Sequence, residues 1–133
     1  MSDGEFASIS VMAVEDEEFS QRITSKILYS IGVNDVLTAN NGVEAIALLE
    51  TTKSRIDLVI CDIEMPEMDG YEFVRRIRYG TVPGYKEVPI VMLTGKDTEK
   101  NVRSARIHKI NGFIVKPPQV DTVRRHLRDA LGK

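Results

Sequence analysis

Near the middle of the chain, an apolar run leads directly into a chemically distinctive loop: Leu58-Val59-Ile60-Cys61-Asp62-Ile63-Glu64-Met65-Pro66-Glu67-Met68-Asp69-Gly70. The first four residues are apolar without alternation, which suits a strand buried on both faces of a parallel sheet. Asp62 follows that strand at once, and its carboxylate is interpreted as a nucleophile that accepts a phosphoryl group with the help of a divalent cation. The stretch therefore predicts a sheet with reactive chemistry at the end of one strand.

Two further apolar runs have the same character, Ser10–Val14 and Pro89–Leu93. Together with the run before Asp62 they predict three central parallel strands. Asp35–Ala39 and Gly112–Val115 are weaker and shorter, so we expect them to be flanking or edge strands. The sequence thus predicts five strands.

Helical patterns separate these strands. The first helix has apolar residues at every fourth position, namely Phe19, Ile23, Ile27 and Ile31. We expect it to end at Gly32, a residue suited to a helix cap. Asn41 is expected to cap the second helix, with Glu44 able to reach back in a capping box. The third helix is marked by Phe73, Val74 and Ile77.

The second half of the chain is patterned less clearly. Tyr79–Val88 contains two glycines and one proline and is interpreted as a loop. A fourth helix, roughly Thr98–His108, has few apolar residues. A fifth helix carries its arginines away from an apolar face formed by Val120, Val123, Leu127 and Leu131.

Strands that alternate with helices indicate right-handed βαβ units, so the predicted fold class is α/β, a doubly wound parallel sheet with helices on both faces. Ligands of such sheets bind outside the carboxyl ends of the strands. That rule brings four separate pieces of the chain to one edge, namely Glu15-Asp16, Asp62, Thr94-Gly95 and Lys116-Pro117. Each piece alone is an ordinary turn, strand end or acidic first helical turn; their joint occurrence in this order indicates a site.

Composition narrows the class of protein. With 133 residues, 42% of them hydrophobic and 29% charged, the chain is expected to form one globular domain. Its first residues lack the pattern of a signal peptide, and no apolar run reaches membrane-spanning length, so we expect a cytoplasmic protein without a membrane partner. The single cysteine, Cys61, is expected to be a buried apolar residue without a redox role.

Charge is distributed unevenly along the chain. Residues 1–95 carry 16 acidic and 8 basic residues, whereas residues 96–133 carry 4 acidic and 10 basic residues. The acidic part suits a cation site. The basic part either faces an acidic partner or is a set of solvated helix surfaces.

These residues resemble the receiver domain of two-component response regulators, especially stand-alone receivers of the chemotaxis type. The resemblance spans about residues 8–131 and is most specific at Asp62–Gly70, with its Met-Pro and Met-Asp-Gly elements. It implies a single receiver domain over residues 1–133, with a flavodoxin-like sheet in the order 2-1-3-4-5 and five helices. The chain is then either a stand-alone receiver, which its start at Met1 favours, or a receiver excised from a larger regulator.

The resemblance also implies the chemistry. Asp62 would take a phosphoryl group from a histidine kinase or a histidine phosphotransfer protein. Mg²⁺, with Mn²⁺ as an alternative, would be held by Asp16, Asp62 and the backbone carbonyl of Glu64, with Glu15 binding through water. Glu15 stands where the family often has aspartate.

Further residues complete the implied switch. Lys116 and Thr94 would contact phosphoryl oxygens, and Gly95 would leave room for the group. Thr94 would couple to the aromatic residue Phe113, which can turn inward. Glu64 and Lys96 would shield the phosphoryl group as an ion pair and slow its hydrolysis. The output surface would bind an acidic target protein through Arg103, Arg106, Lys109, Arg124, Arg125 and Arg128.

Other functions fit less well. Four acids after the first strand would repel a dinucleotide's pyrophosphate, and Gly95-Lys96 lacks the other residues of a P-loop. The basic residues form no evident recognition helix, so direct nucleic-acid binding is not expected. Two alternatives stay open: an aspartyl-phosphate enzyme with Glu64 as its second carboxylate, and a receiver-like interaction module that works without phosphorylation.

Overall fold

A computed structural model describes residues 4–95, 103 and 109–133 of the protein. Its strands are β1 (Ser10–Val14), β2 (Asp35–Ala39), β3 (Leu58–Asp62), β4 (Ile90–Thr94) and β5 (Gly112–Val115). The helices within the described residues are α1 (Glu18–Ser30), α2 (Gly42–Thr51), α3 (Gly70–Tyr79) and α4 (Val120–Leu131). The helix predicted at residues 98–108 lies outside the described residues except for Arg103, so the predicted fifth helix is numbered α4 here.

The five strands form one parallel sheet in the order β2-β1-β3-β4-β5. This confirms the predicted α/β class and strand order. The carboxyl ends of β1, β3 and β4 are adjacent, because Val14 pairs with Cys61 and Asp62 pairs with Leu93. Residues that follow these strands are therefore neighbours at one edge of the sheet. Within the described residues, none of the helices is both long enough and apolar enough to cross a lipid bilayer.

Helices cover both faces of the sheet and create one apolar core on each. On one face, Met12 and Val59 pack with Phe73 of α3. On the other face, Val11 packs with Leu28 of α1 and with the buried face of α4. Successive strand side chains point to opposite faces, so a strand with helices on both sides needs apolar residues at every position. This explains the unalternating runs in the sequence.

The apolar face predicted for α1 was wrong at its first residue. Phe19 is 65% exposed, and the fully buried residues of the helix are Thr24 and Leu28. Glu17 caps the helix through its carboxylate, which accepts hydrogen bonds from the amides of Phe19 and Ser20. The first turn is thus placed at the functional edge of the sheet, where Phe19 has no core to enter. The prediction was wrong because Phe19 and Ile23 have the four-residue spacing that is typical of a core-facing helix surface.

One other expectation was wrong, and the loop predicted after α3 is confirmed but has an additional role in the core. Val120, assigned to the apolar face of α4, is 41% exposed because it lies in the first turn, beyond the core formed by Val123 and Leu127. The predicted loop after α3 also does more than connect elements, since Val82 and Tyr85 are buried in the core beneath it. The glycine and proline residues correctly predicted a loop, but they gave no indication that Val82 and Tyr85 pack into the core.

Candidate functional site

Three acidic side chains converge at the carboxyl ends of β1 and β3. Glu15 and Asp16 directly follow β1, and Asp62 is the last residue of β3. One carboxylate oxygen from each residue lies within 4.8 Å of the other two. Glu15 is 1% exposed and Asp62 is 5% exposed, whereas Asp16 faces solvent. The cluster is therefore buried on the side of Glu15 and Asp62 and open to solvent at Asp16.

Lys116, which follows β5, reaches across the sheet edge to this cluster. Its Nζ atom donates a hydrogen bond to Asp62 Oδ2 at 2.8 Å and lies 3.1 Å from Glu15 Oε2. The contact with Glu15 is an ion pair without hydrogen-bond geometry, so the buried Oε2 atom has no hydrogen bond from the described part of the chain. The Lys116 amide donates to the Thr94 carbonyl at 2.8 Å, and the Lys116-Pro117 peptide is cis.

The site holds more negative charge than one ammonium group can balance. Burial, and then the neighbouring Asp62 carboxylate, raise the pKa of Glu15 to about 7 against the opposing influence of Lys116. Burial by itself lowers the pKa of Lys116, but its hydrogen bond to Asp62 and its ion pair with Glu15 outweigh it, so this pKa lies above its usual value. Oxygen ligands, excess negative charge and the unsatisfied Glu15 oxygen fit a hard divalent cation.

Thr94 and Phe113 lie on the same face of the sheet near this cluster. Thr94 ends β4 and is 6% exposed. Phe113 of β5 pairs in register with Met92, two residues before Thr94, and residues paired in register or separated by two along a strand point to the same face. Phe113 is half-buried against the α2–α3 side of the core. Gly95, which follows Thr94, is exposed, and a Cβ atom built on it would have no heavy atom of the described residues within 4 Å.

The loop after Asp62 is held tightly against β3. The Gly70 amide donates to the Ile63 carbonyl at 2.7 Å, and a Cβ atom at Gly70 would lie 2.4 Å from the Asp62 carbonyl oxygen. Asp69 caps α3 by accepting a hydrogen bond from the Glu72 amide at 2.9 Å. The Asp-Gly pair therefore combines a helix cap with a close backbone approach, two roles that turn propensity alone did not indicate.

Glu64 lies in this loop with an exposed side chain. Its amide donates a hydrogen bond to Asp62 Oδ1 at 3.4 Å. The proposed ion-pair partner, Lys96, lies outside the described residues. Gln21, which sequence reasoning missed, donates from its side-chain amide to the Glu15 carbonyl at 3.1 Å and to the Ala39 carbonyl at 3.3 Å. It joins α1 to the segments after β1 and β2.

An apolar groove adjoins the acidic cluster on the side of Lys116. Phe19, Ile23 and Pro117 are among its lining residues, and its volume is about 270 Å³. Lys116 and Glu15 also line it, so the groove is continuous with the site. Phe19 is exposed because it lines this groove. The four-residue spacing of Phe19 and Ile23, which predicted a core-facing stripe, in fact marks residues that line the groove together.

The basic residues predicted to form an output surface have differing surroundings. Arg106 lies outside the described residues, while Arg103, Lys109 and Arg125 are exposed. On α4, Arg124 forms an ion pair with Asp121 at 3.1 Å. Arg128 contacts Glu5 at 2.5 Å.

Comparison with known proteins identifies the family. The family described as the response regulator receiver domain matches residues 11–128. The chain belongs to this receiver family. A chemotaxis protein CheY homolog of Campylobacter jejuni is 35% identical over 122 residues, which cover 92% of each chain. The predicted resemblance to receivers of the chemotaxis type is therefore confirmed.

Solved receiver structures share the architecture. The chemotaxis protein CheY4 of Vibrio cholerae aligns with a TM-score of 0.82 and 33% identity, covering 92% of this chain and 98% of that one. A CheX-CheY-BeF3-Mg²⁺ complex from Borrelia burgdorferi aligns with a TM-score of 0.83 and 29% identity, covering 94% of this chain and 90% of the other. The receiver described here thus belongs to a family of signalling switches that includes a Mg²⁺ complex.

Proposed function

We propose that this receiver is a phosphorylation switch in which Asp62 accepts a phosphoryl group from a histidine kinase or a histidine phosphotransfer protein. The observation that carries the proposal is the position of Asp62. Its carboxylate is almost fully buried, is fixed by Lys116 at 2.8 Å, and lies within 4.8 Å of the carboxylate oxygens of Glu15 and Asp16. A carboxylate whose orientation is fixed in this way can attack an incoming phosphorus atom from one direction.

In the proposed transfer, an oxygen of Asp62 attacks phosphorus, and the bond from phosphorus to the donor imidazole nitrogen breaks. The imidazole nitrogen takes up a proton as it leaves, and Asp62 becomes an acyl phosphate. Lys116 already contacts the attacking group and can follow the charge to a phosphoryl oxygen. Thr94 supplies a hydroxyl donor from the next strand, and the open space at Gly95 admits the group.

Asp16, Asp62 and the Glu64 carbonyl are proposed to hold Mg²⁺, with Mn²⁺ as a substitute and Glu15 as a more distant acidic partner. When bound, the cation offsets the repulsion between the anionic carboxylate and the anionic phosphoryl group. The unsatisfied oxygen of Glu15 and its pKa, which burial and then the Asp62 carboxylate raise, support this assignment, because a cation beside these carboxylates would offset both the buried negative charge and the repulsion between them.

The output step is proposed to begin at Thr94. Movement of its hydroxyl toward the phosphoryl group would vacate space on the sheet face that Phe113 shares, and the ring could turn inward. Phosphorylation would thereby change the surface that docks a target protein. The basic residues on this half of the chain favour an acidic target, and those available on α4 include Arg125.

A small phosphodonor tests the proposal. Acetyl phosphate and Mg²⁺ should add the mass of one phosphoryl group to the intact wild-type protein, and Asp62→Asn or EDTA should prevent the addition. Asp69→Asn is a matched control, because asparagine preserves the cap of α3 and leaves the acidic cluster unchanged. Equal modification of the wild type and Asp62→Asn would overturn the role of Asp62. Folded, Mg²⁺-binding wild type that accepts no group from acetyl phosphate or from any phosphorylated histidine protein would favour the phosphorylation-independent module.

A further inference from the structure

The N-terminal strap, which we define as Gly4–Ile9, precedes the part of the chain that matches the receiver family, residues 11–128. It nevertheless contributes to the core. Phe6 is 0% exposed and packs in the apolar cluster that contains Leu28 of α1 and Leu127 of α4. A phenylalanine buried to this extent is among the larger apolar contributions that one residue can make. The strap is therefore an integral part of the folded protein.

Backbone hydrogen bonds give the strap a defined shape. The Ala7 amide donates to the Gly4 carbonyl at 3.3 Å, and the Ile9 amide donates to the Phe6 carbonyl at 3.0 Å. At its end, the Ile9 carbonyl accepts from the Asn34 amide at 3.0 Å, at the entrance to β2. The strap is thus anchored to the sheet at Ile9 and extends from there toward α4.

An ion pair ties the other end of the strap to α4. Arg128 Nε donates to Glu5 Oε1 at 2.5 Å, and the Glu5 side chain is only 19% exposed. The hydrogen bond from Arg128 lowers the pKa of Glu5, and the positive charges of Arg124 and Lys133 act in the same direction. The pKa of Arg128 is raised in turn, chiefly by its hydrogen bond to Glu5. Glu5 therefore faces the basic end of α4.

The neighbouring ion pair on α4 is of a different kind. Arg124 pairs with Asp121 within one helical turn, and the Asp121 side chain is 94% exposed. The Glu5–Arg128 pair joins residues 123 positions apart and accompanies a buried aromatic ring. It thus connects two separate elements of the fold.

We propose that the N-terminal strap is an autoinhibitory latch on α4, in which Phe6 seats the strap in the core and Glu5 withholds the Nε atom of Arg128 from acidic partners. While the latch is closed, Glu5 occupies the Nε atom of Arg128, and an acidic target must displace Glu5 to bind that atom. The rest of the Arg128 side chain is partly accessible, since the side chain is 42% exposed. Arg125, exposed on the same helix, needs no such displacement. The latch does not involve the phosphoacceptor chemistry proposed above, but it rests on the proposed output surface, because it requires that acidic partners bind α4.

Chemical modification of arginine tests whether Glu5 withholds Arg128. Phenylglyoxal labelling, followed by peptide mass analysis, gives the rate at Arg128 relative to Arg125 in the same molecule. Glu5→Gln should raise this ratio about two- to fivefold, as expected for loss of a modest ion pair, whereas the control Asp121→Asn should leave it unchanged. An unchanged ratio in Glu5→Gln would overturn the proposal.

Hydrogen exchange tests whether Phe6 seats the strap. Phe6→Ala should reduce protection of the Asn34 and Lys133 amides at least about tenfold more than protection of the Met92 amide in β4, because local opening precedes global unfolding. Phe73→Ala, a matched change on the opposite core, should not single out these amides. A uniform loss throughout the chain in Phe6→Ala would contradict the latch. Phe6→Leu provides the same comparison if the alanine variant does not fold.

Discussion

Replacing Glu15 by glutamine links the electrostatics of the site to the stability of the protein. The pKa of Glu15 is raised from 4.5 to about 7 in the metal-free folded protein, chiefly by burial and then by Asp62. Because the folded state holds this proton more tightly than the unfolded state, the stabilising contribution is fully present below about pH 4.5 and is lost as the pH rises through 7. Glutamine keeps a similar shape without the charge, so its variant should lack this dependence on pH.

The magnitude follows from the two pKa values. A tenfold change in an equilibrium constant corresponds to about 1.4 kcal/mol, so ionising Glu15 in the folded protein lowers stability by up to roughly 3 kcal/mol at pH 8. Glu15→Gln should therefore gain about 2–3 kcal/mol relative to the wild type between pH 5 and pH 8. Mg²⁺ at one hundred times the dissociation constant should stabilise either protein by about 2.7 kcal/mol. It should also reduce the difference between them, because a nearby cation favours the ionised form of Glu15 in the wild type.

Urea unfolding in EDTA at pH 5 and pH 8, followed by circular dichroism, measures this change directly. Glu17→Gln is the control, because hydrogen bonds from Ser20 lower the pKa of Glu17. The stabilising contribution of Glu17 is present above its unfolded pKa of 4.5 and is lost only as the pH falls below that value, so the effect of this variant on stability should be nearly the same at pH 5 and pH 8. A stability difference between Glu15→Gln and wild type that is the same at both pH values would refute the reasoning.

Three further substitutions test the packing and charges around the site. Gly70→Ala should destabilise the protein by about 1–3 kcal/mol in urea unfolding, since its Cβ would meet the Asp62 carbonyl at 2.4 Å. Gly95→Ala should change stability by less than about 0.5 kcal/mol. Equal losses of stability in the two variants would contradict this account. Asp69→Ala should cost about 1 kcal/mol through loss of the α3 cap, and Asp69→Asn should restore most of it. Lys116→Met should destabilise the metal-free protein more at pH 8 than at pH 5, because Glu15 is ionised at pH 8 and then loses its cationic partner. Thermal melts at both pH values measure this, and a larger loss at pH 5 would contradict it.

The sequence predicted the sheet well because its signals were local and consistent. Asp35–Ala39 and Gly112–Val115 form strands with the expected bounds, and the three central runs differ from their strands by at most one residue at an end. A strand that is buried on both faces is a continuous apolar run, so its position can be recognised without deciding which residues face the core. Strand order followed from the family resemblance, since composition alone does not specify which strands become neighbours.

Helix faces were less predictable than helix positions. Phe19 and Ile23 have the four-residue spacing of a core stripe, yet Phe19 lies in a first turn that extends past the core and lines a groove beside Lys116. Periodicity reports which residues share a face but does not report where the neighbouring elements end. The same limitation explains the exposed Val120 at the start of α4.

The acidic cluster was predictable because parallel strands bring their carboxyl ends to one edge. Its electrostatic balance was not. Lys116 contacts both Asp62 and Glu15, and one Glu15 oxygen has no hydrogen-bond partner among the described residues. Both features depend on side-chain distances of a few ångströms. The contact between Glu5 and Arg128 likewise joins distant parts of the chain, and no sequence pattern pairs them.

The most direct test of the account identifies the residue that carries the phosphoryl group. After incubation with acetyl phosphate and Mg²⁺, borohydride reduction converts an aspartyl phosphate into homoserine, which peptide mass analysis can locate. We expect homoserine at position 62, and its absence when EDTA is present. Reduction at another aspartate, such as Asp16 or Asp69, with position 62 unchanged, would contradict the assignment of Asp62 as the phosphoacceptor.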